Sequence, residues 1–283
     1  MNFAKDHTQP PVCMTIAGLD PSGGAGIIAD IKSFSAFGCF AAAAVTSVTF
    51  QNTTGVFGAV HQTAESVRRQ AEAVVDDFEV AALKTGMLPT GEVIDEVARL
   101  IKTYSLRNII VDPVVRSTSG FDLIDDAALE ILIERLFPLA DLITPNIPEA
   151  ERIAKMSIAS SDDIAMAAEK MRTMGARNVL IKGGHFTGPN GEKESGENRG
   201  KMAVDHLFIG ASLTKFEAEF IDTNATHGTG CTLAAAIAAN LALGADIESA
   251  VKISKDFVTE AIRTAPNLGK GHSPINISPS SRV

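Results

Sequence analysis

Residues 11–38 read PVCMTIAGLDPSGGAGIIADIKSFSAFG, and this stretch decides the fold. Its first part, Pro11 to Gly18, is apolar and typical of a buried β-strand. A glycine-rich turn, Asp20 to Gly26, follows the strand. After the turn, apolar side chains recur at helical spacing: Ile27, Ile28, Ile31, Phe34 and Phe37. A strand that enters a helix through a glycine-rich turn is typical of α/β proteins.

The same alternation continues along the chain. Further short strands are predicted at Val45 to Phe50, Ala81 to Thr85, Asn108 to Val111, Leu142 to Thr144 and Val179 to Lys182. Helical patterns at 63–76, 90–103, 125–136 and 161–174 separate them. Strands that alternate with helices predict an α/β fold with a mostly parallel central sheet between two layers of helices.

The later part of the chain departs from this alternation. Residues 187–201 are rich in Gly, Glu and Asn and predict an exposed loop. A hairpin is predicted next, with strands at Met202 to Ile209 and Leu213 to Phe220. Two helical patterns follow at 229–243 and 246–264 and meet at Gly244. The last residues, 265–283, predict an irregular tail. No linker divides the chain. We therefore expect residues 1–283 to form one domain, with irregular tails at 1–10 and 277–283.

The composition excludes several classes of protein. The chain has 283 residues, of which 45% are hydrophobic, enough for one large core. No apolar run approaches the roughly 20 residues of a membrane span, and residues 2–11 lack the apolar region of a secretory signal. We therefore expect a cytoplasmic protein without a membrane partner. The formal net charge of −9 argues against nucleic acid as a partner.

The three cysteines show no paired spacing and predict neither a disulfide framework nor a zinc site. Cys13 and Cys39 fit small buried positions. His185 and His227 have no ligand partners at metal-binding spacing, so we expect them to satisfy local hydrogen bonds.

The most informative stretch is Asp222 to Thr232, which reads DTNATHGTGCT and joins a strand pattern to an alanine-rich helix. Gly228 and Gly230 permit backbone conformations in which consecutive N–H groups point the same way. The unpaired N–H groups and dipole of the helix add to them, so the turn predicts a cradle for a phosphoryl group. The alternative is a tight turn before a helix, with no ligand.

Cys231 lies at the start of this helix. The helix dipole would lower the pKa of its thiol and favour the thiolate. A thiolate there could orient or deprotonate an acceptor hydroxyl, and phosphoryl transfer requires little more of the protein than positioning and charge stabilisation. The alternative is a small residue packed at a helix start.

Seven motifs of the chain together resemble one family. The chain resembles the hydroxymethylpyrimidine/phosphomethylpyrimidine kinases of thiamin biosynthesis, members of the ribokinase superfamily, from about residue 12 to Asn276. The motifs that carry it are 18–32 (GLDPSGGAGIIADIK), 51–53 (QNT), 84–88 (KTGML), 112–114 (DPV), 144–151 (TPNIPEAE), 182–185 (KGGH) and 226–232 (THGTGCT). The run Val115 to Gly120 departs from the family pattern.

The resemblance implies a role for individual positions. It implies a ribokinase-like fold, ATP and Mg²⁺ as cofactors, an aminopyrimidine substrate and a homodimer. Cys231, Gly228, Thr229 and Gly230 match catalytic positions. Asp30 and Gln51 match positions that bind the pyrimidine, and Gly18, Met87 and Val114 match positions that line its pocket. Lys182, Thr226 and Gly228 match nucleotide-binding positions, and Asn146 and Glu149 match a pair that organises Mg²⁺, partly through water.

The residues themselves allow other interpretations. A carboxylate and an amide suit an aminopyrimidine, but Asp30 alone would be an ordinary solvated helix residue, and Gln51 a polar cap at a strand end. Met87 by its spacing belongs to the core. Asn146 and Glu149 provide the oxygen ligands that Mg²⁺ prefers, or they simply open a helix after Pro148.

Three functions follow from these observations. The first is a kinase for 4-amino-5-hydroxymethyl-2-methylpyrimidine and its monophosphate. The second is a vitamin B6 kinase for pyridoxal or pyridoxine, which Gln51 disfavours because a pyridine ring offers its amide no equivalent partner. The third is a non-catalytic binding protein, which would be expected to have lost the cradle glycines, the Asn146–Glu149 pair or Cys231.

Overall fold

The computed structural model describes residues 9–115, 122–183 and 202–278. The strands are β1 (Val12–Leu19), β2 (Phe40–Asn52), β3 (Gly55–His61), β4 (Val80–Thr85), β5 (Ile109–Val111), β6 (Leu142–Ile143), β7 (Asn178–Lys182), β8 (Met202–Ile209) and β9 (Ser212–Glu219). The helices are α1 (Gly26–Ala36), α2 (Ala64–Val75), α3 (Gly91–Thr103), α4 (Asp126–Leu136), α5 (Ile147–Ala154), α6 (Ser161–Thr173), α7 (Thr229–Ala242) and α8 (Ile247–Arg263).

All the described strands belong to one sheet, in the order β3-β2-β1-β4-β5-β6-β7-β8-β9. The strands from β2 through β1, β4, β5 and β6 to β7 run parallel. The hairpin partner β3 and the pair β8 and β9 are antiparallel additions at the two edges. The mostly parallel sheet predicted from the sequence is confirmed.

Helices cover both faces of the sheet. On one face, α1, α7 and α8 contribute to an apolar cluster around Phe34 and Leu233. On the other, α2 to α6 pack in a larger cluster that includes Leu100 and Phe137. In α7, every residue from Thr232 to Leu241 is buried, since the helix lies between the sheet and α8. Its many alanines allow this close approach on both sides.

The carboxyl ends of the parallel strands meet along one edge of the sheet. Ligand sites of open α/β sheets form in the crevice outside this edge. Here the edge carries polar side chains at or directly after successive strands, namely Thr85, Asp112, Thr144 and Lys182. The fold therefore places the motifs of the sequence at a single location.

Some elements differ from the sequence prediction. Strand β2 begins at Phe40 rather than Val45, and β3 was not predicted. The start of β2 reads FAAAA, and alanine is depleted in strands, so its propensity gave no signal. Helix α5 begins at Ile147, before Pro148, because the Asn146 side chain caps it.

The segment after α8 forms no helix or strand up to Ser278, as predicted. It is nevertheless packed, since Ile275 and Ile277 are buried, and the irregular tail predicted at 277–283 stays a prediction. The predictions for residues 1–8, 187–201 and 279–283 lie outside the described residues, as do those for His185 and 116–120. Within the described ranges, no helix is long and apolar enough to cross a membrane.

Candidate active site

A cleft of about 1140 Å³ opens at the carboxyl edge of the sheet. It is lined by residues from the turn after β1, the ends of β2, β4, β5 and β7, and the starts of α5 and α7. All of the site residues predicted from the sequence except Asp30 line it: Gly18, Gln51, Met87, Val114, Asn146, Glu149, Lys182, Thr226, Gly228, Thr229, Gly230 and Cys231.

The turn before α7 requires glycine at position 228. Gly228 is the N-cap of α7 and has a φ of 84°, a left-handed conformation that side chains rarely adopt. A Cβ atom there would also lie 1.8 Å from the carbonyl oxygen of Gly24. The two glycine-rich loops of the sequence therefore touch backbone to backbone.

The N-terminus of α7 is left open toward the cleft. No side chain caps the helix, and Gly228 to Cys231 all line the cleft. The first N–H groups of a helix have no partners within it, and the helix dipole makes this end positive. The geometry fits the anion cradle predicted from the sequence.

Asp20 links the turn after β1 to the turn before α7 through hydrogen bonds. Its carboxylate accepts hydrogen bonds from His227 Nε2 at 2.7 Å, from the Ser22 hydroxyl and amide, and from the Ala25 amide at 2.9 Å. Burial alone would raise the pKa of Asp20, but hydrogen bonds from His227, Gln51 and Ser22 hold it well below its usual value. His227 thus serves a local hydrogen bond, as expected.

Lys182 lies beneath the cradle. Its ammonium donates to Asp112 Oδ1 at 3.0 Å, and Thr144 Oγ1 donates to the same oxygen at 2.9 Å. Burial opposes its charge, yet Asp112 and Glu149 raise the pKa of Lys182. A Cβ atom on Gly230 would lie 3.2 Å from Lys182 Nζ. Lys182 therefore provides a fixed positive charge beside the cradle.

Asn146 and Glu149 form a capping box at the start of α5. Asn146 Oδ1 accepts from the Glu149 amide, and Glu149 Oε2 accepts from the Asn146 amide. The structure therefore bears out the helix-opening interpretation, and both residues also line the cleft. Burial raises the pKa of Glu149 to about 7, in spite of the nearby Lys182.

The described residues contain no group of three His, Cys, Asp or Glu side chains arranged to hold a metal ion directly. Mg²⁺ keeps several of its waters and is usually held by one or two carboxylates together with substrate phosphates. The carboxylate oxygens of Glu149 and of the nearby Asp112 fit this way of binding Mg²⁺. The ligand chemistry suits a Mg²⁺ ion that arrives with a nucleotide.

The predicted substrate residues Gly18, Gln51 and Met87 line the same cleft. A Cβ atom on Gly18 would lie 3.1 Å from the Met87 sulfur, so these two residues lie against each other. Met87 is 8% exposed, and it therefore belongs both to the core and to the cleft wall. The Gln51 side chain is near enough to Asp20 to help lower the pKa of that carboxylate.

Asp30 does not line the cleft, and its predicted role in binding a substrate stays a prediction. It is fully buried, so it is not a solvated helix residue either. Its Oδ2 accepts from Thr15 Oγ1 at 2.7 Å and from Lys84 Nζ at 2.8 Å. Thr15 and Lys84 occupy β1 and β4, and their side chains draw Asp30 toward the sheet.

The predicted low pKa of Cys231 is wrong. The thiol is half-buried at the start of α7, and burial raises its pKa to about 11. Lys84 and the Gly26 amide lower the pKa, whereas Asp30 and Asp112 add to the increase. Desolvation therefore outweighs the groups that favour the thiolate, and the resting group at neutral pH is a thiol.

Several polar residues of the cleft were missed by the sequence analysis. Lys84 interrupts an apolar strand, and Asp112 directly follows one. A charged residue at either place indicates a functional site, since charged side chains are rarely buried without a partner or a role. Asp205 and Lys255 form a second buried pair at 2.7 Å, and Asp205 also accepts from the Gly183 amide. Their strand and helix patterns gave no indication of this pairing.

A mostly parallel sheet with an open helix N-terminus, a buried lysine and an Asn–Glu capping box at its carboxyl edge defines a ribokinase-like small-molecule kinase. The model of the phosphomethylpyrimidine kinase family matches residues 20–276. The chain belongs to this family and is a phosphotransferase, which implies ATP as the phosphoryl donor.

Individual relatives agree with this assignment. The chain is 43% identical to the hydroxymethylpyrimidine/phosphomethylpyrimidine kinase of Bacillus subtilis over 263 residues, 93% of each protein. It resembles the crystal structure of the phosphomethylpyrimidine kinase of Clostridium difficile with a TM-score of 0.75 and 40% identity, over 89% of this chain and 99% of that one. The ADP complex of Bacillus subtilis pyridoxal kinase gives a TM-score of 0.82 at 35% identity, over 95% and 97% of the two chains.

The protonation state of Cys231 can be measured directly. Because burial raises the thiol pKa to about 11, alkylation by iodoacetamide should keep accelerating above pH 9, whereas free cysteine levels off above its pKa of about 8.5. Mass spectrometry of the peptide that contains Cys231 gives the rate at each pH, and Cys231→Ala is the blank. A midpoint below pH 8 would contradict the described electrostatics.

Glu149 should make stability depend on pH in the absence of Mg²⁺. The pKa of Glu149 in the folded state lies above the ordinary value of the unfolded chain. The protonated carboxyl group therefore makes its full contribution to the free energy of unfolding below about pH 4.5, and this contribution is lost as pH rises through 7. Glu149→Gln keeps the capping box but carries no charge, and it should be more stable than the parent at pH 8 by on the order of 2 kcal/mol. Urea unfolding at pH 5 and pH 8 measures the difference.

The matched control is Asn146→Ala, which removes the cap at either pH and should cost about 1 kcal/mol at both. A Glu149→Gln effect that is equal at pH 5 and pH 8 would show that the carboxyl group does not titrate in this range.

Proposed function

We propose that the protein transfers the γ-phosphoryl group of ATP to the hydroxymethyl group of 4-amino-5-hydroxymethyl-2-methylpyrimidine, and a second phosphoryl group to the resulting monophosphate, in thiamin biosynthesis. The observation that carries the proposal is the cleft itself. Its walls include both an open helix N-terminus with Lys182 and the predicted substrate residues Gly18, Gln51 and Met87. The printed names of the relatives supply the substrate.

The cradle would act on the charge that the phosphoryl group carries during transfer. The acceptor oxygen bonds to the γ-phosphorus while the bond from phosphorus to the bridging oxygen breaks, and ADP leaves with that electron pair. The hydroxyl proton is released on the acceptor side, where Cys231 lies. N–H groups of Thr229, Gly230 and Cys231 and the Lys182 ammonium would offset the negative charge on the equatorial oxygens.

The proposed substrate residues would hold the ring. Gln51 lines the cleft, and its amide can present a donor and an acceptor to a flat aminopyrimidine. Gly18, Met87 and Val114 would provide the apolar wall. Thr226, Gly228 and Lys182 would contact the nucleotide. Glu149 and Asn146 would bind Mg²⁺ partly through water, and the ion would supply charge neutralisation on the phosphates.

A vitamin B6 kinase is the second candidate. The similarity to the pyridoxal kinase of Bacillus subtilis at a TM-score of 0.82 favours it. The amide of Gln51 argues for the pyrimidine, since a pyridine ring lacks the second ring nitrogen with which an amide can pair. A non-catalytic binding protein is disfavoured because the glycines of the cradle, the Asn146–Glu149 pair and Cys231 are all present in the cleft.

The remaining expectations belong to the same proposal. We propose that residues 1–283 act as one kinase unit in the cytoplasm, where ATP is available. A homodimer is supported by exposed apolar side chains on one edge of the sheet: Phe50, Phe57 and Val60 on β2 and β3 are more than half exposed. A surface of this kind fits a second copy better than solvent.

The proposal is tested by turnover. Purified protein with ATP and Mg²⁺ should form ADP in proportion to added pyrimidine alcohol, and again with the monophosphate, with both phosphorylated products identified by mass spectrometry. The specificity constant kcat/KM for the pyrimidine alcohol should exceed that for pyridoxal. No turnover with either pyrimidine would refute the proposal, and faster turnover of pyridoxal would establish the second candidate.

Gly230→Ala tests the role of the cradle. The added Cβ would press on Lys182 Nζ at 3.2 Å and shift it from the phosphoryl group. We expect kcat to fall about 10- to 100-fold with little change in the KM of the alcohol, because the cradle acts mainly on the transition state. Gly55→Ala is the control, since a Cβ there meets no atom within 4 Å. An increase in KM at unchanged kcat would assign Gly230 to substrate binding instead.

A further inference from the structure

A buried ion pair in the wall of the cleft has no part in the proposed reaction. Asp205 on β8 accepts a hydrogen bond from Lys255 on α8, with 2.7 Å between the carboxylate Oδ2 and the ammonium Nζ. The two residues are 4% and 7% exposed, and both line the cleft. The fold therefore holds two opposite charges together in the wall of the candidate active site.

Both residues occupy positions that the patterns of their elements would give to apolar side chains. On β8, Leu207 follows Asp205 by two residues, so it lies on the same face, and it belongs to the apolar cluster of α7 and α8. On α8, Val251 and Val258 share one helix face with Lys255 and belong to this cluster. A buried ion pair is often no more stabilising than an apolar pair of similar volume. Stability alone therefore gives little reason for a charge at either position.

The carboxylate of Asp205 has a second partner, the backbone amide of Gly183. This amide donates to Asp205 Oδ1 at 3.0 Å, and the hydrogen bond is buried. A Cβ atom on Gly183 would lie 1.9 Å from the carbonyl oxygen of Val204, so β8 can approach this closely only because the residue is glycine. A hydrogen bond to a carboxylate is stronger than one between neutral groups. Asp205 thus holds the peptide group that directly follows Lys182.

The end of β7, which carries Lys182, is held from both sides. The amide of Lys182 donates to the Pro145 carbonyl at 2.9 Å, which ties this end to the segment after β6. On the other side, Lys182 pairs with Asp205 in the β7–β8 ladder, and the next amide, that of Gly183, bonds to the Asp205 side chain. The Lys182 ammonium lies beside the cradle, 3.2 Å from where a Cβ atom on Gly230 would be.

We propose that Asp205 is a positioning residue for phosphoryl transfer: its carboxylate, oriented by Lys255, holds the Gly183 amide and so fixes the end of β7 that presents Lys182 to the anion cradle. Asp205 acts on the reaction only through this strand end. Its catalytic consequence rests on the proposed function, in which the Lys182 ammonium offsets the charge of the transferred group.

Two double variants separate the hydrogen bond from the ion pair. Asp205→Asn/Lys255→Met removes both charges but keeps an oxygen that can accept from the Gly183 amide. Asp205→Leu/Lys255→Met removes both charges and also this acceptor. Neither variant leaves a buried charge without its partner, so both should fold. The comparison between them therefore isolates the partner of one backbone amide.

Hydrogen exchange of the Gly183 amide reports on this contact without any turnover. A glycine directly follows a lysine at Lys182–Gly183 and Lys270–Gly271 only, so labelling lysine carbonyls with ¹³C and glycine amides with ¹⁵N selects two NMR signals. Lys270→Arg, at an exposed position, removes the Gly271 signal and so assigns both. The Gly271 amide bonds to Thr53 and serves as the internal control.

The exchange of Gly183 should distinguish the two double variants. We expect it to be about tenfold faster in Asp205→Leu/Lys255→Met than in Asp205→Asn/Lys255→Met, because only the first has lost the acceptor. Gly271 should exchange at the same rate in both. Equal exchange of Gly183 in the two variants would overturn the proposal.

Turnover decides whether the contact serves the reaction. In Asp205→Leu/Lys255→Met, kcat should fall about 10- to 100-fold with little change in the KM of the alcohol, because a displaced Lys182 weakens the transition state more than alcohol binding. Asp205→Asn/Lys255→Met should recover most of this loss, since the acceptor for Gly183 is restored. An equal loss of kcat in both variants, or an equal rise in the KM of ATP, would overturn the proposal and assign the pair to direct contact with the nucleotide.

The two measurements fail separately. If the parent protein phosphorylates no alcohol, the proposed function fails, whereas the exchange rates still decide whether Asp205 holds the Gly183 amide. A kcat that falls in the variant with fast exchange and recovers in the other supports the proposal. A kcat that is the same in both variants while the exchange of Gly183 differs would overturn its catalytic part.

Discussion

The active site depends on one close contact, in which the carbonyl group of Gly24 occupies the space that a side chain on residue 228 would fill. The contact joins the loop after the first strand to the turn before α7, more than 200 residues later in the chain. The hydrogen bond between His227 and Asp20 fixes the same junction through side chains. Because both loops are held, the first turn of α7 points its free amides into the cleft.

Much of the fold and of the site could be predicted from the sequence, because the local residue patterns agree with the tertiary structure. The strand, turn and helix of residues 12–36 show apolar spacing and glycine at the expected points, and the Asp222–Thr232 motif lies at a helix start as predicted. What failed involved partners distant in the sequence. Asp30 looked like a solvated helix residue because nothing near it in the chain indicates Lys84 on another strand. The alanine-rich start of β2 is a strand because its neighbours pair with it, not because its residues prefer it.

The error on Cys231 has a different origin. The sequence showed the helix dipole, a local property, but not how deeply the thiol would be desolvated or which charges would surround it. Desolvation and the net effect of four charged neighbours are properties of the assembled fold. The same applies to Glu149, whose helix-capping role could be read from its spacing, whereas its pKa near 7 results from burial beside Asp112. Positions were predictable, while protonation states were not.

The irregular segment after α8 determines when the site can assemble. The carbonyl of Ser273 accepts from the His227 amide, and the amides of Lys270, Gly271 and His272 bond to Thr53 beside the β2–β3 hairpin. Every strand and helix of the described ranges is complete by Arg263, whereas the backbone partner of the turn before α7 comes from residue 273. During synthesis, which delivers the chain from its N-terminus, a folded sheet would therefore precede a finished active site. The turn before α7 gains its last backbone partner only when residues 270–273 have packed beside it and the β2–β3 hairpin.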